Sequence, residues 1–214
     1  MPEVIETIVY RLDELDAAAK EKARAWYREG GFDHDWYDAV YADFEAICGL
    51  IGVTLRTTSV RLMSGGSRQE PCIFFRGFWS QGDGACFEGG YAYVRNAPAK
   101  IRAYAPKDTD LHDIADALQA VQQRNFYQLR ALTRNCGHYY HEYCMDVAVE
   151  RASPTSQDMT DDAEDIVIEA MRDLARWIYR QLERDYEYQT SNVSVDQTII
   201  ANAYTFTGTG RRFG

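Results

Sequence analysis

The segment Cys136–Cys144 contains the side chains best suited to chemistry, because two cysteines and two histidines lie within it. The candidate metal ligands are Cys136, His138, His141 and Cys144. Thiolate and imidazole are the ligands that zinc prefers, but the spacing C-x-H-x2-H-x2-C lacks the CxxC pairs of structural zinc sites. In a regular strand the two histidines would lie on opposite faces, so they could share an ion only if the segment bends. We therefore predict no metal site and expect hydrogen-bonded, structural histidines.

A second group of candidate residues combines carboxylates with one histidine. Its members are Asp83, Glu88, His138 and Glu142. Such a group suits general acid–base catalysis or a hydrolytic metal, provided that folding brings the side chains together. It supports an alternative function, a metal-dependent hydrolase or nucleotide-binding protein that uses the region of Asp83, Glu88 and His138. The structural interpretation is favoured, because aspartate in a turn commonly bonds its own backbone.

Other catalytic signals are weak. The sequence contains no Walker A loop, no GxGxxG after a strand, no HExxH and no GxSxG. Cys86 lies among apolar residues of a predicted strand, which favours a buried, unreactive thiol over a nucleophile. Arginine recurs at every fourth position from Arg172 to Arg184, but the neighbouring acidic residues favour a salt-bridged, solvated helix face. We therefore predict no catalytic residues and no cofactor.

A hairpin predicted around Gly82-Asp83-Gly84 would position several of these side chains. Glycine supplies the positive φ angles that tight turns need, and aromatic-rich runs flank this turn. We predict that Cys72–Trp79 and Cys86–Val94 pair across it. Bulky side chains occur on both faces of these strands, which indicates that both faces are covered or that one is used for binding.

Hydrophobic periodicity predicts helices and strands in mixed order. The predicted helices are one capped by Asp13 or Asp16 and ended by Gly30-Gly31, then Tyr37–Ile51, Leu111–Val121 with a cap near Asp108 to Asp110, Asp161–Glu187 and Val193–Asn202. Further strands are predicted at Val4–Arg11, Val53–Met63, Phe126–Arg134, Tyr140–Glu150 and Tyr204–Phe206. This order predicts an α+β fold with a mainly antiparallel sheet of about five to seven strands, packed helices and one long C-terminal helix. We expect a single domain over 1–207 and a flexible tail over 208–214.

Charge and composition restrict the class of partner. The 214 residues carry a net charge of −10, from 33 acidic and 23 basic residues, and include 15 tyrosines. The charge argues against direct nucleic-acid binding and favours a basic protein or a nucleoprotein effector as partner, while tyrosine suits a recognition surface. The five cysteines do not have the spacing of a secreted disulfide framework. Since neither a signal peptide nor a membrane helix is evident, we expect a cytoplasmic protein without a membrane partner, as a monomer or homodimer.

Several short segments, spread over most of the chain, form a further pattern. They are Leu12-Asp13-Glu14-Leu15, Lys20–Arg24, Trp26-Tyr27-Arg28, Phe78–Gly89, Gln123–Tyr127, Gly137–His141 and Trp177–Glu183. Together they resemble phage- and plasmid-borne proteins labelled "antitoxin of toxin–antitoxin stability system". The stretch Thr54–Pro71 is longer than in those proteins and predicts an extra hairpin. The resemblance implies an accessory gene of a mobile element, such as an antitoxin or an inhibitor of host defence of the anti-CRISPR type, and carries over no catalytic residues.

These observations favour a non-enzymatic protein of a phage or mobile element that binds and inhibits a host protein. It would act in counter-defence, as anti-CRISPR proteins do, or as an antitoxin-like protein. An acidic surface with exposed tyrosine and tryptophan side chains would form the interface. The predicted partner-binding residues are Trp79, Gln81, Asp83, Glu88, Tyr139 and Tyr140.

Overall fold

A computed structural model of the chain describes residues 6–32, 35–63 and 65–214. The α-helices in these ranges are α1 (Ala17–Trp26), α2 (Asp38–Ile51), α3 (Ala97–Tyr104), α4 (Thr109–Arg124), α5 (Ala163–Thr190) and α6 (Asn192–Ala201). The strands are β1 (Val53–Leu55), β2 (Thr57–Arg61), β3 (Ser67–Pro71), β4 (Ile73–Arg76), β5 (Gly84–Phe87), β6 (Gly89–Ala92), β7 (Leu129–Asn135), β8 (Met145–Arg151), β9 (Thr205–Phe206) and β10 (Arg212–Phe213). The predicted strand Val4–Arg11 lies partly outside the described residues, and Tyr10 forms an isolated bridge to Phe206.

The fold is α+β with antiparallel strand pairs and one long helix, α5, as the sequence predicts. Four strands form one sheet in the order β1-β6-β7-β8, and the others form three two-stranded ladders. The described residues contain ten strands rather than five to seven, because predicted strands such as Val53–Met63 are divided where the chain changes its pairing partner. The predicted extra hairpin is present as β2 and β3, which pair from Thr57 opposite Pro71 to Arg61 opposite Ser67.

Short-range sequence signals set two of the helix starts. The Asp16 side chain accepts a hydrogen bond from the backbone N–H of Ala19 at 2.8 Å, and Asp108 accepts one from Leu111 at 3.1 Å. These carboxylates satisfy N–H groups that have no partner inside the helix, so the predicted starts of α1 and α4 are confirmed. Helix α3 was not predicted, because eight residues are too few to show a clear hydrophobic period.

Internal contacts divide the chain into two compact units, Met1–Asp38 with Arg184–Gly214, and Ala39–Glu183. In the first unit the buried core residues are Leu12, Leu15, Ala19, Ala23, Tyr27, Val195, Ile199 and Phe206. Arg24 on α1 donates two hydrogen bonds to Asp196 on α6, at 2.7 and 2.6 Å, and this ion pair lowers the pKa of Asp196. The residues predicted as a tail, 208–214, include β10, which pairs with β9.

In the second unit, one face of the four-stranded sheet is buried. Its buried side chains are Val53, Tyr91, Leu129, Ala131, Thr133, Met145 and Val147. Gln122 on α4 reaches this face and donates a hydrogen bond to the Tyr91 hydroxyl at 3.2 Å. On the opposite face Thr54, Gly90, Leu132 and Ala148 form one cross-strand row. The packing on a single face agrees with the alternation of buried and exposed residues along β7 and β8.

Three extended segments exchange partners at one point of the second unit. Three backbone hydrogen bonds form a ring. The Arg56 N–H donates to the Glu88 carbonyl at 2.8 Å, the Glu88 N–H to the Cys72 carbonyl at 2.9 Å, and the Cys72 N–H to the Arg56 carbonyl at 2.7 Å. On either side of this ring, β1 pairs with β6, β2 with β3, and β4 with β5. The junction satisfies the backbone groups where all three segments bend.

The structure corrects two predicted boundaries near the candidate site. The hairpin strands are β4 and β5, and the connection between them covers residues 77–83 instead of a tight Gly82-Asp83-Gly84 turn. The strand predicted over Tyr140–Glu150 begins only at Met145, because Glu142–Cys144 forms a single helical turn. Within the described ranges, no helix has both the length and the apolar character needed to cross a bilayer.

Candidate binding surface

The connection between β4 and β5 is held by the carboxylate of Asp83. Its Oδ2 atom accepts hydrogen bonds from the backbone N–H groups of Trp79, at 2.9 Å, and Ser80, at 2.6 Å. Gly77 and Gly82 take the positive φ angles of 51° and 92° that let the chain turn. The structural interpretation of Asp83 is therefore confirmed, although its carboxylate bonds residues three and four positions before it.

Both faces of the β4–β5 hairpin are covered. On one face the Phe87 ring packs edge-on against Phe44 of α2, with centroids 5.5 Å apart, and Phe75 packs against Tyr41. On the other face the Phe74 ring stacks on Tyr140, with centroids 5.4 Å apart. These rings are used for packing, whereas the exposed Trp79 side chain lies at the end of the hairpin.

The segment 136–144 bends, and the bend determines what its histidines do. His141 Nδ1 accepts a hydrogen bond from the Tyr143 N–H at 3.1 Å, and His141 Nε2 lies 3.4 Å from Cys144 Sγ. His138 is exposed in the same loop. The predicted structural role is confirmed for His141, whose ring nitrogens both lie within hydrogen-bonding distance of its own loop.

The end of the hairpin packs against the 136–144 loop. The sequence did not determine whether these two segments are in contact. A Cβ atom built on Gly84 would lie 2.4 Å from His141 Cβ, and one built on Gly82 would lie 3.2 Å from Cδ1 of the Tyr139 ring. Real Cβ atoms do not approach so closely as the first of these distances. The absence of a side chain at Gly84 therefore permits the two loops to touch.

We define the aromatic surface as Trp79, Tyr139 and Tyr143, three large exposed side chains on these two loops. Trp79 is 77% exposed, Tyr139 52% and Tyr143 66%. Tyr139 stacks on the His141 ring, with centroids 6.5 Å apart, and the Arg172 guanidinium lies 5.3 Å from the centre of the Tyr143 ring. Exposed rings with fixed neighbours lose little entropy when they bind, which makes them good interface anchors.

The six residues predicted to bind a partner divide into two groups. Trp79, Gln81 and Tyr139 are exposed, and they remain candidates for direct contact. The other three are Asp83, Glu88 and Tyr140, which make contacts within the chain. Tyr143 belongs to the surface but was not predicted as a partner-binding residue, since the segment 140–150 was assigned to a strand.

Two carboxylates of the acid–histidine group predicted from the sequence are held by other contacts. Glu88 Oε2 lies 2.8 Å from the Arg56 guanidinium, and Oε1 accepts a hydrogen bond from the Asn135 N–H at 3.3 Å. Asp83 is engaged by its own loop. Residues 6–32, 35–63 and 65–214 contain no group of three or more His, Cys, Asp or Glu side chains placed to hold a metal ion.

Acidic side chains surround the aromatic surface. Burial raises the pKa of Tyr179, and the negative charges of Glu183, Asp83 and Glu142 raise it further. The Tyr179 ring packs against the Phe78 ring, with centroids 5.6 Å apart. Phe78 directly precedes Trp79 of the aromatic surface. Carboxylates therefore lie near the aromatic surface, together with Arg172, whose guanidinium contacts the Tyr143 ring.

A groove of about 470 Å³ between α4 and α5 extends this acidic character. Its charged lining residues are Asp110, Asp113, Glu169, Asp173 and Arg180. Arg176 lies 2.7 Å from Asp173 and 3.7 Å from Glu142 of the 136–144 loop, so it links the groove to the aromatic surface. Arg180 similarly pairs with Asp110 at 2.6 Å. The predicted salt-bridged face of α5 is confirmed for these two arginines.

A family model covers this part of the molecule. The model described as Domain of unknown function (DUF8835) matches residues 36–192, which is more than half of the chain. The chain belongs to the DUF8835 family. No curated protein and no solved structure matches it. The aromatic surface and the acidic groove both lie within the DUF8835 domain.

A second exposed aromatic feature of the DUF8835 domain was not predicted from the sequence. Phe126 and Tyr127, between α4 and β7, both have left-handed backbone angles, with φ of 56° and 61°. Buried Asn125 holds the turn, since its Nδ2 donates to the Val121 carbonyl at 2.9 Å and its Oδ1 accepts from the Thr160 N–H at 3.0 Å. The sequence offers no warning, because aromatic residues rarely adopt this conformation.

Proposed function

We propose that this DUF8835 protein is a non-enzymatic binding protein that recognises a basic surface of another protein. The observation that carries the proposal is the aromatic surface, whose rings project from two loops that brace each other. Tryptophan and tyrosine are the most frequent energetic anchors of protein interfaces. Among the described residues, no group of three or more His, Cys, Asp or Glu side chains is placed to hold a metal ion.

The acidic groove supports a basic partner. Asp113 is exposed in the groove, and the chain as a whole carries a net charge of −10. Charge complementarity steers association and selects among partners more than it adds affinity. We infer that the aromatic rings supply most of the binding energy and that the carboxylates select a cationic surface.

The biological setting follows from the resemblance to phage- and plasmid-borne antitoxin-like proteins. We propose that the partner is a host protein or nucleoprotein effector in the bacterial cytoplasm, and that binding inhibits it. This assigns the protein to counter-defence or to antitoxin-like control of a toxin. Arg176 and Arg180, which pair in the groove, do not outnumber its four carboxylates, so a basic partner remains the favoured class.

The test is capture of a defined partner with matched surface variants. The tagged full-length protein is incubated with host lysate, and the partner is identified by native mass spectrometry, expressed and purified. We expect Trp79→Ala with Tyr139→Ala to weaken binding by about 100-fold, because two interface anchors are lost. Tyr188→Ala removes a tyrosine that is 65% exposed but lies outside the aromatic surface, and it should leave the affinity unchanged.

The electrostatic part of the proposal has its own control. Asp113→Lys should slow association and reduce its dependence on salt, whereas Asp13→Lys, an equal charge change at an exposed residue outside the groove, should have little effect. Equal affinities for the wild type and the Trp79/Tyr139 double variant would reject the aromatic interface. Equal association rates for the two lysine variants would reject the groove.

A further inference from the structure

The geometry points to a modification site at the base of the 136–144 loop. There, reaction with a peroxide would form a reversible disulfide between Cys136 and Cys144. The bond itself does not depend on the proposed function. Its effect on partner binding does rest on that function, because the closed loop contains Tyr139 and Tyr143.

The backbone places the two cysteines directly opposite each other. The β7–β8 ladder ends with Asn135 opposite Met145, and the next backbone N–H, that of Cys136, donates to the Cys144 carbonyl at 2.9 Å. Opposed residues that share such a backbone hydrogen bond have Cα atoms about 5.5 Å apart, within the range of about 4.4 to 6.8 Å that disulfides span. The register therefore satisfies the main geometric requirement for the bond.

The Cys144 side chain already crosses towards the opposite strand. A Cβ atom built on Gly137 would lie 2.7 Å from Cys144 Sγ, so the sulfur lies over the residue next to Cys136. Cys136 is exposed and Cys144 is partly exposed, which gives a small oxidant access to both thiols. Rotation about the Cα–Cβ bonds is then the main movement needed to bring the sulfurs together.

His141 prepares Cys144 for reaction. Because His141 Nδ1 accepts the Tyr143 N–H, the neutral ring carries its proton on Nε2, the atom 3.4 Å from Cys144 Sγ. The Nε2–H group is directed at the sulfur and fixes the position of the Cys144 side chain. His141 acts as a positioning residue and hydrogen-bond donor here, since its Nε2 is not free to accept the thiol proton.

The reaction balances with peroxide as the oxidant. The Cys144 thiolate attacks one peroxide oxygen, the O–O bond breaks, and the departing oxygen leaves as water after protonation. The Cys136 thiolate then attacks the sulfenic sulfur, the S–S bond forms, and the S–O bond breaks with release of a second water. Two thiols lose two electrons and two protons in total, and one peroxide is reduced to two waters.

The third nearby thiol is a poor competitor. Cys86 is completely buried on β5, and burial raises its pKa to about 12, with smaller contributions from Cys144 and Glu88. Little thiolate therefore forms at Cys86 near neutral pH, and an oxidant does not reach it. The expected product is the Cys136–Cys144 bond, and oxidation should withdraw Cys144 Sγ from His141 and shift the stacked Tyr139 ring.

The experiment treats the reduced full-length protein with hydrogen peroxide, blocks remaining thiols with N-ethylmaleimide, and maps peptides by mass spectrometry. We expect loss of two hydrogen atoms per chain, a linked Cys136–Cys144 peptide, and full reversal by dithiothreitol. Cys136→Ser should abolish the linked peptide and let oxygen atoms accumulate on Cys144. Cys72→Ser, at a buried cysteine, should leave the linked peptide unchanged.

A Cys86–Cys144 peptide, a disulfide between chains, or oxygen addition without any linked peptide would overturn the proposal. His141→Ala should slow formation of the bond several-fold without moving its position, whereas a purely structural histidine would leave the rate unchanged in folded protein. Capture of the purified partner by oxidised and reduced chains tests the regulatory consequence separately. A linked peptide with unchanged capture would support the modification site and reject its link to binding.

Discussion

Two irregular segments of the DUF8835 domain expose aromatic side chains, but their backbones are held in opposite ways. In residues 77–83 the positive φ angles belong to Gly77 and Gly82, and one partly exposed carboxylate, Asp83, organises the loop. In the turn after α4 the positive φ angles belong to Phe126 and Tyr127 themselves. Glycine adopts positive φ angles at low conformational cost in the first loop. In the second segment, aromatic residues adopt the same angles at a higher cost.

The buried amides explain how the second segment is held. Gln122 Nε2 donates to the Leu129 carbonyl at 2.8 Å, and Gln122 Oε1 accepts from the Leu129 N–H at 3.1 Å, so one side chain replaces a missing pair of backbone bonds. Both Gln122 and Asn125 are fully buried. Buried polar groups with all partners satisfied are stabilising but costly to disturb. The comparison predicts a rigid turn after α4 and a more tolerant loop at 77–83.

The largest effect is expected at Gln122. Gln122→Leu leaves the Leu129 N–H and C=O and the Tyr91 hydroxyl buried without this partner, which should cost about 3 kcal/mol of unfolding free energy. Gln123→Leu, at the neighbouring exposed position, should cost less than about 0.5 kcal/mol. Urea denaturation followed by circular dichroism measures both. Similar losses for the two variants would contradict the central role of the buried amide.

The next largest effect is expected where the hairpin meets the 136–144 loop. Gly84→Ala would place a methyl group 2.4 Å from His141 Cβ and 2.9 Å from the Tyr140 carbonyl oxygen, so one loop must move, at a cost of about 2 kcal/mol. Gly90→Ala is the matched control, since a Cβ atom at Gly90 would lie 3.8 Å from the nearest atom, the Ala131 carbonyl oxygen. Thermal unfolding should separate the two alanine variants clearly, and equal melting temperatures would refute the close contact.

Removal of the carboxylate at Asp83 should have a smaller effect. Asp83→Ala takes the acceptor from two backbone N–H groups that can turn to water, so we expect a loss of about 1 kcal/mol. Asp83→Asn keeps one acceptor oxygen and should lose less. Hydrogen exchange should accelerate at residues 79 and 80 in the alanine variant while exchange in α4 stays constant; unchanged exchange at Trp79 would show that the carboxylate does not hold the loop.

The smallest effect measures the strain at Phe126 as a difference between two variants. Phe126→Gly should be more stable than Phe126→Ala by about 1 kcal/mol, because glycine adopts a left-handed backbone without steric cost. Gln123 is an exposed position of α4, where the order of stability should reverse. There the alanine variant should be more stable than the glycine variant by about 1 kcal/mol. The same order at both positions, in chemical denaturation, would remove the argument for strain.

Several features of the fold could be predicted because they depend on residues close in sequence. The apolar spacing of α2, α4 and α5 and the aspartate caps at Asp16 and Asp108 are of this kind. The boundaries of the strands were predicted less well. Val53–Met63 reads as one strand, but its division follows from hydrogen bonds among Arg56, Cys72 and Glu88, which come from three separate segments.

The candidate site shows the same division between local and distant causes. The role of Asp83 could be predicted, because its partners lie three and four residues away. Membership of Tyr143 in the aromatic surface could not, because it depends on the bend at Glu142–Cys144. The partner of Glu88 lies 32 residues away at Arg56, so no local pattern distinguishes this carboxylate from a catalytic one.

By itself the sequence determined the α+β class, the main helices and their caps, the acidic charge, and the aromatic loops as the candidate interface. These properties follow from short-range periodicity, turn chemistry and composition. Only the tertiary structure decided that the hairpin end meets the 136–144 loop, that Cys136 faces Cys144, and that Phe126 and Tyr127 are held in left-handed geometry. Each of these depends on strand register or on buried side chains from distant segments, which long-range packing alone brings together.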